Sequence, residues 1–157
     1  MQIHFKNQQK SDRLLDLTHP NIIGILNFTP DSFSDSGKFF SLDKSLFQVE
    51  KMLNDGADII DIGGESTRPN AETVTVSQEI ERVIPLVEAV RSRFDCLISV
   101  DSSKAEVFRE SAKAGADILN DIRALTEPNA LETAAELGLP VCIMHMQGSP
   151  QTMQQAP

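Results

Sequence analysis

The chain has 157 residues, 23 acidic and 14 basic side chains, and a formal net charge of −9. That length suits a single domain over residues 1–157, and 40% hydrophobic with 24% charged residues reads as a folded chain with a core, not a disordered one. The acidic balance argues against nucleic acid as a partner, since phosphate neutralisation needs clustered Lys and Arg, and no run of 18 apolar residues is present to cross a membrane.

Residues 1–17 mix Lys, Asp, Gln and Arg without the apolar stretch of a secretory signal. Short β-branched runs follow at residues 21–26 (NIIGIL), 58–62 (DIIDI), 96–101 (CLISVD), 117–120 (DILN) and 141–145 (VCIMH). They are nearly continuous in apolar residues, as strands covered on both faces should be. Amphipathic stretches separate them. Leu42, Leu46, Val49 and Leu53 fall at helical spacing, with Gly56 as a stop. Ile80, Val83, Ile84, Val87 and Val90 mark a second helix, opened by a capping box of Thr75 and Gln78 and expected to kink or break at Pro85. Ser103 with Glu106 caps a third, closed by Gly115; Pro128 opens a fourth, closed by Gly138. Cys96 and Cys142 each sit in an apolar stretch and are expected as buried free thiols of a reducing compartment, which points to the cytoplasm.

Residues 56–61 (GADIID) are echoed at 115–120 (GADILN), a helix-ending glycine leading into a strand each time. Alternating strand and helix means a parallel sheet with right-handed crossovers, either doubly wound or a (β/α) barrel. Every strand ends in polar residues: Asn27, then Gly63 to Arg68, then Asp101 to Ser103, then Asn120 and Asp121, then His145 and Gln147. A barrel collects one contribution from each strand on one rim, whereas a doubly wound sheet concentrates its site at one switch point. Five polar ends therefore favour the barrel. Two connections, residues 27–41 and 63–75, exceed the usual βα length of about 2–6 residues. The first combines hydroxyls and carboxylates with Phe28, Phe33, Phe39 and Phe40, as a lid over a flat ligand would, or as aromatics that anchor a loop on its own barrel. Arg68, the one cation of the second, suits a phosphate or carboxylate ligand or else a surface ion pair. Asn27 near Asp31 offers oxygens for Mg²⁺, which takes few protein ligands. His145, between two methionines, reads as a core residue rather than a base.

The blocks NFTPDSFSD (residues 27–35), GGESTRP (63–69), SVD (99–101), NDI (120–122) and MHMQG (144–148) resemble those of bacterial-type dihydropteroate synthases, in order and at that family's spacing. Ser36, Asn70 and Ser102 depart from the family pattern, which has Gly, Gly and Thr there. The resemblance implies a pterin-binding (β/α)8 barrel that joins 6-hydroxymethyl-7,8-dihydropterin pyrophosphate to p-aminobenzoate, releasing pyrophosphate and 7,8-dihydropteroate. It also implies Mg²⁺, held at Asn27. Asp101, Asn120 and Arg68 would be catalytic. Asp101 and Asn120 would read the pterin, with Ile122 and Met144 as walls of its slot. Thr67 and Arg68 would meet pyrophosphate and p-aminobenzoate, and Phe33 and Pro69 would line the p-aminobenzoate site where sulfonamides compete. The alternatives are a pterin-binding methyltransferase domain, which needs neither long lid, and a non-catalytic pterin-binding fragment. A barrel of this kind takes about 250 residues, so five strands and four helices are expected to form an incomplete one. The expectation is an N-terminal portion, inactive alone and prone to aggregate, whose complete form is a homodimer through parts absent here.

Overall fold

The computed structural model describes residues 1–6, 12–28, 37–65 and 74–145. Two strands, β1 (Gln2–Lys6) and β2 (Asp12–Asp16), form an antiparallel pair with Gln2 opposite Asp16. From Ile23 onward strand and helix alternate: β3 (Ile23–Asn27), α1 (Gly37–Asn54), β4 (Ile59–Gly63), α2 (Val76–Arg93), β5 (Leu97–Asp101), α3 (Ala105–Ala114), β6 (Ile118–Asp121), α4 (Ala130–Leu137) and β7 (Val141–Ile143). The five later strands are parallel and lie in the order β3-β4-β5-β6-β7. Each crossover returns the chain to the next position, so there is no point where the order reverses. That is barrel winding, and the sheet with its four helices is an incomplete (β/α) barrel.

The two faces of the sheet differ. Ile60, Ile62, Ile98, Val100 and Leu119 point outward onto the helices and are fully buried. They meet Val83, Leu86, Val87 and Val90 of α2 and Val107 and Phe108 of α3, all without exposed surface. On the inward face, Ile23 and Ile25 of β3 are 50% and 66% exposed. The hairpin covers the lower part of that face, where Leu15 packs with Ile59, Leu97 and Ile118. Arg13 of the hairpin reaches Asp95 at 2.9 Å and Asp117 at 3.5 Å. Residues 1–17 offered no apolar run to predict these strands; among the described side chains, Ile3 and Leu15 pack on this face.

Several local expectations change. Pro85 lies inside α2 without ending it; the helix loses one bond at Glu81, but its fully buried stripe holds it against the sheet. The Thr75–Gln78 capping box is present in both directions. Ser103 does not cap α3. Its hydroxyl donates to Asp121 at 2.6 Å, and Lys104 takes the capping position with its N–H on the Ser102 hydroxyl. Helix α4 begins at Ala130, two residues beyond Pro128, with Asn129 as its cap. Helix α1 begins at Gly37, so the first long connection is shorter than residues 27–41. Cys96 is buried but Cys142 is exposed on the inward face, and His145 is exposed rather than in the core. Gly115 ends α3 at φ 111°, and a side chain there would also press on Arg91 at 3.0 Å.

Candidate active site

Register places the strand ends. Asn27 pairs with Gly63, Gly63 with Asp101, and Asp101 with Asn120. In-register residues of a parallel sheet point to the same face, so Asn27, Asp101 and Asn120 share one level of the inward face at the C-terminal rim. Gly63 is the gap between them: a methyl group on it would lie 3.0 Å from Asn27 Oδ1 and 3.8 Å from Asp101 Oδ2. Gly64 turns the other way, where a methyl group would strike Val83 at 2.8 Å. The paired glycines thus let one polar cluster form on the inside and α2 approach closely on the outside.

Asp101 is half-buried beside other acids. Burial first, then the charges of Asp61, Asp121, Glu79 and Glu65, push its carboxyl up to about 7. Near neutral pH the group therefore exists in both forms, able to accept from or donate to a heterocycle edge. Asn120 is also half-buried, and its Nδ2 donates to Asp61 Oδ2 at 3.2 Å. Burial raises the Asp61 carboxyl too, opposed by bonds from Ser99 and Asn120. Ile122 follows β6 in a turn held by Asp121, which accepts from the N–H groups of Arg123 and Leu125 at 2.8 Å each. Met144 stands just past β7, its N–H on the Asp121 carbonyl at 3.3 Å. The ends of β6 and β7 therefore carry Ile122 and Met144 side by side.

A second cluster braces the rim from outside. Lys104 bonds Glu65 and, at 2.5 Å, Glu79, which has no exposed surface. Burial works against the ammonium, but the bonds and charges of Glu65 and Glu79 outweigh it and raise its pKa above the usual lysine value. Lys104 ties the base of the second long loop to the starts of α2 and α3. Sequence reasoning counted Glu65 among the polar strand ends without giving it a role, and passed over Asp61, Glu79 and Lys104. Asp61 carried a signal, a charge inside an apolar strand two residues from Gly63 and so on the same face. Glu79 and Lys104 carried none, since charges in first helical turns are common.

Phe33, Thr67, Arg68 and Pro69 lie outside the described residues, as do Ser36 and Asn70. Among the described residues, no group of three or more His, Cys, Asp or Glu is arranged to hold a metal. A cavity of about 400 Å³ opens on the inward face below the rim, between the hairpin and β7, and reaches the site at Asn120. Its walls are chiefly Ile3, Leu15, Ile23, Ile59 and Ile118, so it is an apolar space of the barrel interior and not the polar rim itself. Among the described residues, no helix is long and apolar enough to cross a membrane.

Residues 23–157 match the family model described as pterin binding enzyme. The chain belongs to the pterin-binding enzyme family. Within it, the likeness is to bacterial dihydropteroate synthases. The chain is 72% identical over 147 residues to dihydropteroate synthase of Haemophilus influenzae, covering 94% of this chain and 54% of that protein. It is 64% identical over 143 residues to that of Escherichia coli, covering 91% and 51%. The crystal structure of Yersinia pestis dihydropteroate synthase with a sulfonamide drug superimposes with a TM-score of 0.84 at 55% identity, covering 99% of this chain and 55% of that one. The chain thus spans about half the length of the curated relatives it matches.

Proposed function

We propose that the protein is a dihydropteroate synthase, which condenses 6-hydroxymethyl-7,8-dihydropterin pyrophosphate with p-aminobenzoate. The observation that carries this reading is the shared level of Asn27, Asp101 and Asn120 on the inward rim, in a chain of the pterin-binding family. The C–O bond to pyrophosphate breaks, the amine of p-aminobenzoate forms a C–N bond to the same methylene carbon, and the amine proton passes to solvent. Asp101 and Asn120 bind the pterin edge, and a fixed carboxylate in a partly dry site favours the positive charge left on the ring as pyrophosphate departs. Ile122 and Met144 flank the ring and exclude water. Thr67 and Arg68 meet the pyrophosphate and the p-aminobenzoate carboxylate, and Phe33 with Pro69 forms the p-aminobenzoate wall. The sulfonamide in the Yersinia pestis relative fits a drug that takes this place.

Mg²⁺ fits the donor set. Asn27 presents a neutral amide oxygen at the exposed rim beside a carboxylate, and Mg²⁺ completes its shell from water and substrate phosphates rather than from a protein cage. Asn27 would hold it, and when bound it would neutralise charge developing on the leaving pyrophosphate. A cytoplasmic location and a homodimer belong to the same proposal.

The test is pyrophosphate release by the protein expressed from its complete reading frame, with both substrates and Mg²⁺. Release that requires p-aminobenzoate is expected. Release that ignores p-aminobenzoate, or activity only toward a methyl-carrier protein, would sink the synthase reading.

A further inference from the structure

Asp61 is assigned no contact with a substrate above, yet it sits at the centre of the inward face. It lies on β4 opposite Ser99 of β5, and its residue is 5% exposed. Its Oδ2 reaches across β5 to accept from Asn120 Nδ2, while Oδ1 is buried without a hydrogen-bond partner. An ionised carboxylate only accepts. The amide of Asn120 is different: its oxygen accepts, its nitrogen donates twice, and the two ends are nearly the same size. Without a neighbour that accepts only, both orientations of the amide would be populated, and a ring edge with N–H groups would find the matching oxygen only part of the time.

We propose that Asp61 is a positioning residue: it holds the Asn120 nitrogen toward the barrel interior and so turns the amide oxygen toward the donors of the bound ring. This rests on the pterin reading above. Asp61 acts through Asn120, so at about pH 8.5, where Asp101 is ionised with or without the neighbouring charge, its removal should matter only while Asn120 is present.

A double-mutant cycle reads this directly, by calorimetric titration of 6-hydroxymethylpterin into the protein expressed from its complete reading frame. Asp61→Val is expected to weaken binding about tenfold in the parent and less than about twofold in an Asn120→Ala background. A purely structural role would cost the same in both. Should the valine variant fail to fold, Asp61→Asn carries the same cycle. Two facing amides can pair in either sense, so a loss of about two- to fivefold is expected, again abolished by Asn120→Ala. Losses that persist undiminished in the Asn120→Ala background, or no loss in the parent, overturn the proposal. A parent that binds no 6-hydroxymethylpterin overturns the pterin reading and this proposal with it; binding with additive losses overturns this proposal alone.

Discussion

Asp117 stands just before β6 with its carboxylate wholly buried. Its Oδ2 accepts from Arg91 Nη2 and, at 2.9 Å, from the N–H of Ile98, the second residue of the buried run of β5. Arg91 in turn donates to the carbonyls of Cys96 at 2.9 Å and Gly115 at 3.0 and 2.8 Å, and its side chain is only 4% exposed. Asp117→Ala removes the counter-charge but leaves the guanidinium in place. Stripping one partner from a buried pair costs about 3–5 kcal/mol, and an orphaned Ile98 N–H adds about 1–3 kcal/mol. The carbonyl bonds that Arg91 keeps offset part of this, so a net loss of about 4 kcal/mol is expected, against a total domain stability of about 5–15 kcal/mol. Replacing both partners by apolar residues, Arg91→Met with Asp117→Leu, should cost less than the two single substitutions summed, because no unpaired charge remains, although the Ile98 N–H and the Cys96 and Gly115 carbonyls lose their partners in the pair. Urea unfolding followed by circular dichroism, with the denaturant slope unchanged, reads both variants. A loss under about 1 kcal/mol for Asp117→Ala, or a double variant as costly as the two single ones summed, would refute the reasoning.

Three further outcomes follow from the rim. Asp101 titrates at about 7, so binding that uses its carboxylate should strengthen as pH rises through 7, and Asp101→Asn should flatten that profile; calorimetry of 6-hydroxymethylpterin between about pH 5.5 and 8.5 checks it. The folded-state value lies above that of an unfolded Asp, so ionisation opposes folding: the same variant should gain stability above pH 7, and nothing below about pH 4. Gly63→Ala places a methyl group 3.0 Å from Asn27 Oδ1 and should raise the Mg²⁺ concentration for half-maximal activity about tenfold, with the melting temperature little changed. An unaltered Mg²⁺ requirement would separate Asn27 from the metal.

The barrel winding was legible because its strands announce themselves twice, by β-branched runs and by polar residues at their C-terminal ends. Asn27, Asp101 and Asn120 could be named for that reason, and register brings them together. The supporting carboxylates could not. Asp61 lies within an apolar strand, and only the order β4-β5-β6 brings it within reach of Asn120. Lys104 finds Glu65 and Glu79 across 39 and 25 residues of sequence, a distance no local pattern reports. Ser103 shows the converse: a good local capping signal lost to a stronger acceptor, Asp121, on the neighbouring strand. The hairpin escaped notice because its strands interleave charged and polar residues with the apolar ones.

That hairpin has a consequence for the order of assembly. It precedes β3 to β7 in sequence, yet the surface that Leu15 needs comes from Ile59, Leu97 and Ile118, delivered one βα unit at a time. Arg13 likewise waits for Asp95 and Asp117. The strands from β3 to β7 each dock on the one just made, so the sheet grows by local steps while one long-range seat forms at its base. The hairpin therefore seats only after the strands that follow it in sequence have formed. A fusion partner placed ahead of Met1 would burden that closing step, whereas the contacts among the later strands would form unhindered.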